Sequence, residues 1–253
     1  KRTKKNRMPQ ENDIEYNQWL SQNVIKHKVE GFSIVNISLK PPGKPPGDIS
    51  SLQMNELSKI SEMFSCGELR VTHEQNLILP HIKNSQLFQL WQKLKAIGLS
   101  TPNIGLISDT ICCPGMDYCA LATARSIPIS QKIGNFFNDY NVQKKIGNLK
   151  IKISGCINAC GHHHVGNIGI LGLDKNGEES YQITLGGSAT ENASIGEIVG
   201  PSFPENELLD AIKKILATYQ KNKKNEDEDF LSVFRRIGIS EFKRDLYENP
   251  LQR

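Results

Sequence analysis

Two cysteine-rich segments constrain this chain more than any other feature of its sequence. Five of the six cysteines lie between positions 112 and 160. Cys113 and Cys119 are separated by five residues, and Cys156 and Cys160 by three, so each pair can direct two thiolates at one centre. Two such pairs complete a four-thiolate shell. The spacing therefore predicts a metal site.

On the cysteines alone, zinc and an iron-sulfur cluster both remain open. Structural zinc sites prefer about two to four residues between paired ligands, and a spacer that contains Pro114 and Gly115 fits that pattern poorly. The wider loop favours a bulkier cluster. Against this, two of the consecutive histidines 162–164 could complete a zinc site with Cys156 and Cys160.

The composition favours a reducing compartment. The chain has 253 residues and 38% hydrophobic content, enough for a buried core in one large or two small domains. Its longest apolar runs are far shorter than a bilayer requires, and its N-terminus lacks the apolar centre of a secretory signal. Clustered cysteines favour metal ligation over a disulfide framework. We therefore expect a cytoplasmic protein with no membrane partner.

The formal net charge of +4 indicates no particular partner. Much of it comes from the basic run at residues 1–7, which is more typical of a solvated tail or linker than of a nucleic-acid surface. We expect no nucleic-acid partner. Because the chain begins with Lys1 rather than Met, it is also expected to be a fragment of a longer protein.

Hydrophobic periodicity predicts a βαββα unit in the first part of the chain. Alternating polarity predicts a strand over 32–39, and Ser50 with Gln53 predicts a capping box for the next helix. Strands at 67–73 and 76–79 and a second helix closed by Gly98 complete the unit.

The two faces of this sheet differ in polarity. Leu69 and Val71 are expected on the apolar face, beneath the helices. The opposite face could simply be solvated, as half-exposed antiparallel sheets often are. It carries the following polar residues: Asn36, Ser38, Arg70, Thr72 and Asn76.

The second part of the chain is expected to place the cysteines at the ends of strands. An apolar strand at 104–108 leads into the first cysteine loop, and a strand at 149–153 leads into the second. A helix from Cys119 to Ser126 would direct its N-terminal N–H groups at the metal site. A hairpin follows, and then a helix capped by Ser202.

The cysteine motifs resemble those of the siroheme-dependent sulfite and nitrite reductases. The resemblance rests on Cys113 to Cys119 with the Ala-Leu-Ala that follows, and on Ile-Ser-Gly-Cys156-Ile-Asn-Ala-Cys160-Gly-His-His-His. In that family C-x5-C and C-x3-C hold a 4Fe-4S cluster, and the last cysteine also lies against the siroheme iron. The resemblance thus implies Cys113, Cys119, Cys156 and Cys160 as metal ligands and Cys160 as the catalytic bridge. The family spacing selects Cys113 over Cys112.

The resemblance also implies siroheme contacts. Arg70-Val-Thr-His-Glu-Gln-Asn76 is similar to a family segment that faces siroheme, whose eight carboxylates require fixed Arg or Lys partners. Gly155 and Gly161 are expected to let the backbone approach the cofactors. Arg125 could reach a siroheme carboxylate or, equally, only solvent. The expected cofactor-binding residues are Arg70, Thr72, Asn76, Arg125, Asn158 and Cys160. The family does not use the histidines as iron ligands, which implies hydrogen bonding and packing beside the cofactor.

The resemblance, which covers the chain from about Phe32 onward, implies an α+β fold in four segments. A basic lead-in occupies 1–31, and a ferredoxin-like half-domain, βαββα, occupies 32–100. A siroheme and 4Fe-4S α+β domain occupies 104–222, and a C-terminal helical tail occupies 223–253. Complete members carry another pseudo-symmetric half before this one. That N-terminal half is expected to be missing here and to be needed for full activity.

The function implied is part of an assimilatory sulfite reductase, which reduces sulfite to sulfide with six electrons. Nitrite reduction to ammonia is the alternative within the family, and the electron donor would be ferredoxin or a flavoprotein/NADPH system. Two other classes stay open: a 4Fe-4S electron carrier and a zinc-stabilised interaction module. The segment from Arg70 to Asn76 and the glycine-rich loops favour the reductase, because a small ferredoxin has no use for them.

Overall fold

A computed structural model of the chain describes residues 13–247. These residues form two compact units. One takes residues up to 41 together with 47–104, and the other takes 42–46 together with residues from 105 onward. The basic run at 1–7 lies outside the described residues.

The first unit is an antiparallel sheet with helices packed against one face. Its elements, in chain order, are α1 (Ile14–Asn23), β1 (Val24–Lys26), β2 (Phe32–Ile37), α2 (Ser51–Phe64), β3 (Arg70–Val71), β4 (Leu77–Lys83) and α3 (Leu87–Ala96). The strand order is β1-β2-β4-β3. The helices and the sheet share an apolar core that includes Trp19, Val35, Leu57, Leu79 and Leu90.

Local sequence signals predicted much of this unit correctly. The capping box is present: the Ser50 hydroxyl accepts from the Gln53 N–H, and the Gln53 side chain accepts from the Ser50 N–H. Gly98 has the positive φ expected after a helix, at 71°. The βαββα order from β2 to α3 is confirmed, and α1 and β1 precede it.

One predicted strand is much shorter than expected. The strand at 67–73 is reduced to Arg70–Val71, and Leu69 and Val71 are 37% and 85% exposed rather than buried. The reason is position: β3 is an edge strand that pairs only with β4, and it lies beyond the helices that bury the middle of the sheet.

The second unit is built on a mixed sheet. Its elements are β5 (Ile111–Cys112), α4 (Ile127–Phe136), α5 (Tyr140–Ile146), β6 (Ile151–Ser154), β7 (Ile168–Lys175), β8 (Glu178–Leu185), β9 (Glu197–Ile198), β10 (Phe203–Pro204), α6 (Glu205–Asn222), α7 (Phe230–Ile237) and α8 (Ile239–Tyr247). The strand order is β10-β8-β7-β6-β5, and β9 pairs with β8. β5, β6 and β7 are parallel, whereas β7 and β8 form the predicted antiparallel hairpin.

The core of this unit lies between the sheet and its helices. Ile151 and Ile153 of β6 and Ile168 and Ile170 of β7 pack with apolar residues of α6, α7 and α8. Leu208, Ile212, Ile215 and Tyr219 of α6 recur at helical spacing, so one stripe of that long helix is buried. Among residues 13–247, no helix is both long and apolar enough to cross a bilayer.

Three predicted elements of the second unit are wrong. Residues 104–108 form turns rather than a strand, because Gly105 has φ of 78° and its N–H donates to the Asp109 carboxylate at 2.8 Å. No helix begins at Cys119, and α4 starts only at Ile127. Ser202 does not cap α6. Its Oγ is 2.5 Å from the Ser180 hydroxyl, and Pro204 occupies the cap position.

Candidate metal centre

The two cysteine loops leave the sheet at the same end, where the parallel strands β5 and β6 finish. The first follows β5 and the second follows β6, and these strands are parallel neighbours with Cys112 opposite Ile153. The carboxyl ends of parallel neighbours lie side by side, so loops that follow them start close together. The fold thereby places the segments after Cys112 and after Ser154 next to each other.

The end of β5 separates the adjacent cysteines. Cys112 is 3% exposed and packs in the hydrophobic core with Ile107 and Ala124. Cys113 lies just past the strand, where its backbone N–H donates to the Ile153 carbonyl at 3.1 Å. Successive side chains on a strand point to opposite sides, so only one of the two can face the loops. The side chain that lies away from the core is Cys113.

A hydrogen-bond cluster at Gly155 joins the loops. The Gly155 carbonyl accepts from the Thr123 N–H at 2.9 Å, the Ala124 N–H at 3.0 Å and the Thr123 hydroxyl at 3.0 Å. These long-range bonds take the place of the intrahelical bonds that a helix over 119–126 would make. This explains why the predicted helix is absent.

The Cys113 sulfur accepts hydrogen bonds in a buried position. The Gly155 N–H donates to Cys113 Sγ at 3.1 Å, and the Ser126 Oγ lies 3.3 Å from the same sulfur. A thiolate has no proton, so as a metal ligand Cys113 would accept both bonds. Such outer hydrogen bonds are typical of sulfurs that ligate iron.

The second cysteine loop is a tight and partly strained turn. The Ala159 N–H donates to the Cys156 carbonyl at 3.2 Å, and the His162 N–H donates to the Ala159 carbonyl at 2.7 Å. Ala159 and His162 have φ of 56° and 54°, in the left-handed region that costs residues other than glycine about 1 kcal/mol or more. Cys160, between these two residues, and Asn158, just before them, are exposed. The turn presents the Cys160 thiol at the surface.

The glycines of the second loop are needed by the protein's own backbone. A Cβ at Gly155 would lie 2.6 Å from the Ala124 carbonyl oxygen, and one at Gly161 would lie 1.8 Å from that of Ile153. The Gly161 N–H also donates to the Ser154 hydroxyl at 3.2 Å. Close packing between the two loops and on β6 therefore requires these glycines, independently of the cofactor approach that the resemblance implies.

The donor set has the chemistry that a 4Fe-4S cluster requires. Within residues 13–247, no three His, Cys, Asp or Glu side chains are grouped tightly enough to hold one metal ion. A 4Fe-4S cluster is wider and is held by four thiolates at its corners. The two loops offer those thiolates, and the Cys113 sulfur already has the hydrogen bonds that a ligating thiolate accepts. The residues present therefore fit a 4Fe-4S cluster.

The three histidines fall into different environments. His163 is 2% exposed, whereas His162 and His164 are exposed. The His163 and His164 rings stack with centroids 4.0 Å apart. Burial, with a smaller effect of His164, lowers the His163 pKa from 6.5 to about 4, so the ring is neutral near pH 7. Among the described residues its Nδ1 has no hydrogen-bond partner.

The predicted siroheme contacts of the first unit lie at the edge of its sheet. Arg70 is 59% exposed and forms an ion pair with Glu68. The Thr72 hydroxyl accepts from the Glu74 and Asn76 N–H groups at 3.2 and 3.1 Å, and so stabilises the turn between β3 and β4. The Asn76 side chain is buried and accepts from the Leu39 N–H at 3.2 Å. Thr72 and Asn76 thus hold the backbone that carries Arg70.

Arg125 in the second unit is bound by carboxylates. Its guanidinium forms ion pairs with Glu179 and, at 3.5 Å, with Asp117. Burial alone would raise the Glu179 pKa, but hydrogen bonds from the Arg125 N–H and the Tyr181 hydroxyl, together with the guanidinium, lower it overall. Siroheme or solvent was the expected partner of Arg125. Glu179, which lies 54 residues away in β8, was not expected.

Two further site residues escaped the sequence analysis. Ser126 contacts the Cys113 sulfur, and Thr123 donates to the Gly155 carbonyl. Both lie in the stretch after Cys119 that was predicted as a helix, where they were treated only as helical positions. A serine directly before Ile127-Pro128 is a typical helix start, and that signal could have identified Ser126 as a boundary residue.

Two solved structures share this fold. The *Mycobacterium tuberculosis* NirA protein aligns with a TM-score of 0.71 and 22% identity, covering 87% of this chain and 41% of that one. Dissimilatory sulfite reductase I aligns with a TM-score of 0.69 and 11% identity, covering 88% of this chain and 72% of that one. At these identities the likeness concerns the fold.

Curated relatives include both nitrite and sulfite reductases. Ferredoxin–nitrite reductase of *Betula pendula* is 29% identical over 82% of this chain and 36% of its own length. The NADPH sulfite reductase hemoprotein β-component of *Bacillus licheniformis* is 26% identical over 74% of this chain and 32% of its own length. The chain spans about a third of the length of these relatives.

Two family models match consecutive parts of the chain. The nitrite/sulfite reductase ferredoxin-like half domain matches residues 28–97, and the nitrite and sulphite reductase 4Fe-4S domain matches residues 106–253. These matches confirm the predicted α+β fold with its ferredoxin-like half-domain, and the predicted cofactor pair of a 4Fe-4S cluster and siroheme. The chain belongs to the nitrite and sulphite reductase 4Fe-4S domain family.

Proposed function

We propose that this chain forms the cluster and siroheme part of an enzyme that reduces sulfite to sulfide with six electrons. One observation supports it most strongly: in a chain of this family, two cysteine loops leave one sheet edge and are joined through Gly155. The class of enzyme is an oxidoreductase of the nitrite and sulfite reductase family.

Four thiolates have assigned roles in this proposal. Cys113, Cys119, Cys156 and Cys160 would hold the 4Fe-4S cluster, and Cys160 would also contact siroheme. When bound, the cluster and siroheme supply one-electron transfer and an iron site for the anion. Cys160 suits the bridging role because its side chain is exposed, whereas Cys113 and Cys156 are 8% exposed.

The chain's own polar groups would hold the carboxylates of siroheme. We propose Arg70 as the main partner, because its exposed guanidinium can exchange the Glu68 carboxylate for a siroheme carboxylate. Thr72 and Asn76 act by holding the turn beside it. Asn158 is exposed beside Cys160 and can donate from its amide. Arg125 is the weakest candidate, since it already pairs with Glu179 and Asp117.

Nitrite reduction to ammonia is the second candidate. Ferredoxin–nitrite reductases of plants and of *Synechococcus elongatus* match this chain at 26–29% identity, against 26–27% for the sulfite reductases of two *Bacillus* species. These relatives support nitrite at least as well as sulfite. The names of these relatives give ferredoxin or NADPH as the electron donor. We propose one of the two as the electron donor here.

Because the relatives are about three times longer than the matched part, we propose that full activity requires a further half of the same enzyme. The expected setting is the cytoplasm. The subunit mass of native enzyme purified from its own cells tests for the further half. The cell fraction that contains the enzyme tests the cytoplasmic setting.

The proposed function is tested by spectra and rates on that native enzyme. We expect strong visible absorption from siroheme, and faster turnover of sulfite than of nitrite with the same chemical one-electron donor. Faster turnover of nitrite would contradict sulfite reduction and support nitrite reduction to ammonia. A broad weak shoulder alone would indicate a plain 4Fe-4S carrier, and a colourless protein containing zinc would contradict the proposal altogether.

Arg70→Ala gives a narrower test of the siroheme contacts. Removing one charge-assisted partner should weaken siroheme retention by about 1.5 to 3 kcal/mol while iron and sulfide of the cluster remain. Arg70→Lys should restore retention only in part, because an ammonium cannot form the paired hydrogen bonds of a guanidinium. Siroheme occupancy that is unchanged in both variants would show that Arg70 faces solvent.

A further inference from the structure

Ser126 occupies a helix cap but does not cap the helix. It precedes α4 at the N-cap position, where a serine side chain normally accepts a hydrogen bond from the second or third N–H of the helix. Ser126 makes no such bond. Its side chain is fully buried, and its Oγ lies 3.3 Å from the sulfur of Cys113. The hydroxyl therefore serves the cysteine loop rather than the helix.

The local sequence explains why the cap is not made. Ser126 has φ of −108° and ψ of −39°, a helical conformation rather than the extended one of an ordinary N-cap. The second residue of α4 is Pro128, which has no N–H to donate. Within residues 13–247, the Ser126 hydroxyl has no other hydrogen-bond partner than Cys113.

Two glycines hold this hydroxyl in place. A Cβ at Gly115 would lie 2.9 Å from Ser126 Oγ, and a Cβ at Gly155 would also lie 2.9 Å from it. The hydroxyl thus packs directly against the backbone of both cysteine loops. The absence of a side chain at both glycines therefore leaves the space that the hydroxyl occupies beside Cys113.

The donors are concentrated on one of the four proposed ligands. Cys113 is approached by the Ser126 hydroxyl and by the Gly155 N–H at 3.1 Å. In the described part of the chain, no N–H or O–H group donates to the sulfurs of Cys119, Cys156 or Cys160, and the contact of Cys160 Sγ is with the Asn158 carbonyl at 4.0 Å. The electrostatic environment of the four sulfurs is therefore unequal.

We propose that Ser126 is a positioning residue that raises the reduction potential of the cluster through the Cys113 thiolate. The inference rests on the proposed function, because it requires Cys113 to be a ligand. Reduction adds one electron, so the cluster with its four thiolates becomes more negative by one charge. A hydrogen bond to a sulfur stabilises the more negative form most, and the number of such bonds is one determinant of cluster potential.

The test uses the native holoenzyme and measures the midpoint potential of the cluster by a redox titration followed by electron paramagnetic resonance. Ser126→Ala should lower the midpoint potential of the cluster. A shift of about 59 mV corresponds to a tenfold rise in the ratio of oxidised to reduced cluster at a fixed potential. Ser126→Thr keeps the hydroxyl and should stay near wild type. Ser126→Val has the shape of threonine without the hydroxyl and should behave like alanine.

Ser130→Ala is the matched control. Ser130 is also buried, lies one turn further along α4, and is joined to Ser126 only by the bond from its N–H to the Ser126 carbonyl. The midpoint potential of the cluster should be the same in Ser130→Ala as in wild type. An unchanged potential in both Ser126→Ala and Ser126→Val, with full iron and sulfide, would overturn the inference and leave the ligand assignment intact.

Cluster loss gives a second way to decide. If the alanine and valine variants lose the cluster while Ser126→Thr retains it, the hydroxyl is needed to hold the cluster rather than to adjust its potential, and the inference is overturned. If Ser126→Thr loses it equally, the site needs the small size of serine, and the inference is overturned. Failure of the proposed function is separate from both outcomes, since it would appear as wild-type enzyme without a four-iron cluster.

Discussion

The two cysteine loops are organised in opposite ways. The loop after β5 is tied to Gly155 by several hydrogen bonds, and its buried Cys113 sulfur accepts from the Gly155 N–H and lies 3.3 Å from the Ser126 Oγ. The loop after β6 is a short turn between two left-handed residues, Ala159 and His162, and it leaves Cys160 exposed. The first loop buries the Cys113 sulfur, whereas the second loop exposes the Cys160 sulfur although its Cys156 is as buried as Cys113.

This difference indicates a division of labour. A buried sulfur that already accepts hydrogen bonds is preorganised for its ligand, and its environment can adjust a potential. An exposed sulfur on a strained turn is available to a second group, and backbone strain of this kind clusters at functional sites. We therefore propose that the first loop anchors the cluster and that the second makes Cys160 accessible to siroheme.

The largest expected effect comes from removing the anchored thiolate. Cys113→Ser should reduce bound iron from about four atoms per cluster to almost none, and siroheme content should fall with it because the two cofactors dock together. Iron, acid-labile sulfide and the visible spectrum measure both losses. Cys119→Ser and Cys156→Ser should behave in the same way.

Cys112→Ser is the matched control for Cys113→Ser. Cys112 packs in the hydrophobic core, so its replacement should leave the cluster in place. The buried hydroxyl should lower the free energy of unfolding by about 1 to 3 kcal/mol. If Cys112→Ser loses the cluster and Cys113→Ser keeps it, the assignment of the two cysteines is reversed.

The next effect tests how tightly the second loop packs on β6. In Gly161→Ala the new methyl would meet the Ile153 carbonyl oxygen at 1.8 Å, so the loop must move. We expect a loss of about 3 kcal/mol or more in the free energy of unfolding, measured by urea denaturation. Gly177→Ala is the control, because a Cβ there meets nothing within 4 Å and only its φ of 88° opposes the change. Equal losses in both variants would show that packing at Gly161 is unimportant.

A smaller effect concerns the buried His163. Its pKa is about 4 in the folded chain, against about 6.5 when unfolded, so the unfolded state binds the extra proton first as the pH falls. Stability should therefore drop between pH 6.5 and pH 4, by about 2 to 3 kcal/mol at most. Urea unfolding of the cofactor-free chain measures this.

His163→Gln should flatten that pH dependence, whereas His162→Asn, at an exposed neighbouring position, should keep it. An identical pH dependence in wild type and His163→Gln would show that His163 titrates normally, and that burial does not hold its ring neutral.

The smallest effect concerns the strain around Cys160. Ala159→Gly relieves a left-handed alanine, which should stabilise the chain by up to about 1 kcal/mol despite the flexibility that glycine adds to the unfolded state. The midpoint of urea unfolding measures the change. Destabilisation by more than about 0.5 kcal/mol would mean that the alanine methyl packs usefully and that the turn is not strained.

Local signals in the sequence were sufficient for much of the fold. The capping box of α2 and the hairpin of β7 and β8 depend on residues close together in the chain, and both were predicted. The errors lie where distant residues decide. The segment 119–126 does not form a helix because its N–H groups donate to the Gly155 carbonyl. Val71 is exposed because its strand is at a sheet edge.

The same division applies to the site. The cysteine spacing is a local pattern, and it predicted the two loops that the fold brings to one sheet edge. The contacts of Ser126 with Cys113 and of Arg125 with Glu179 join residues 13 and 54 positions apart. Neither spacing belongs to a repeating pattern, so only the folded chain reveals them.

The most direct test of this account is Mössbauer spectroscopy of the native enzyme with both cofactors bound. If the two loops hold one cluster and Cys160 also contacts the siroheme iron, the spins of the two centres should be coupled through that sulfur. We expect magnetic splitting at the cluster irons that follows the spin state of the siroheme. Independent and unperturbed signals from the two centres would contradict the bridge at Cys160.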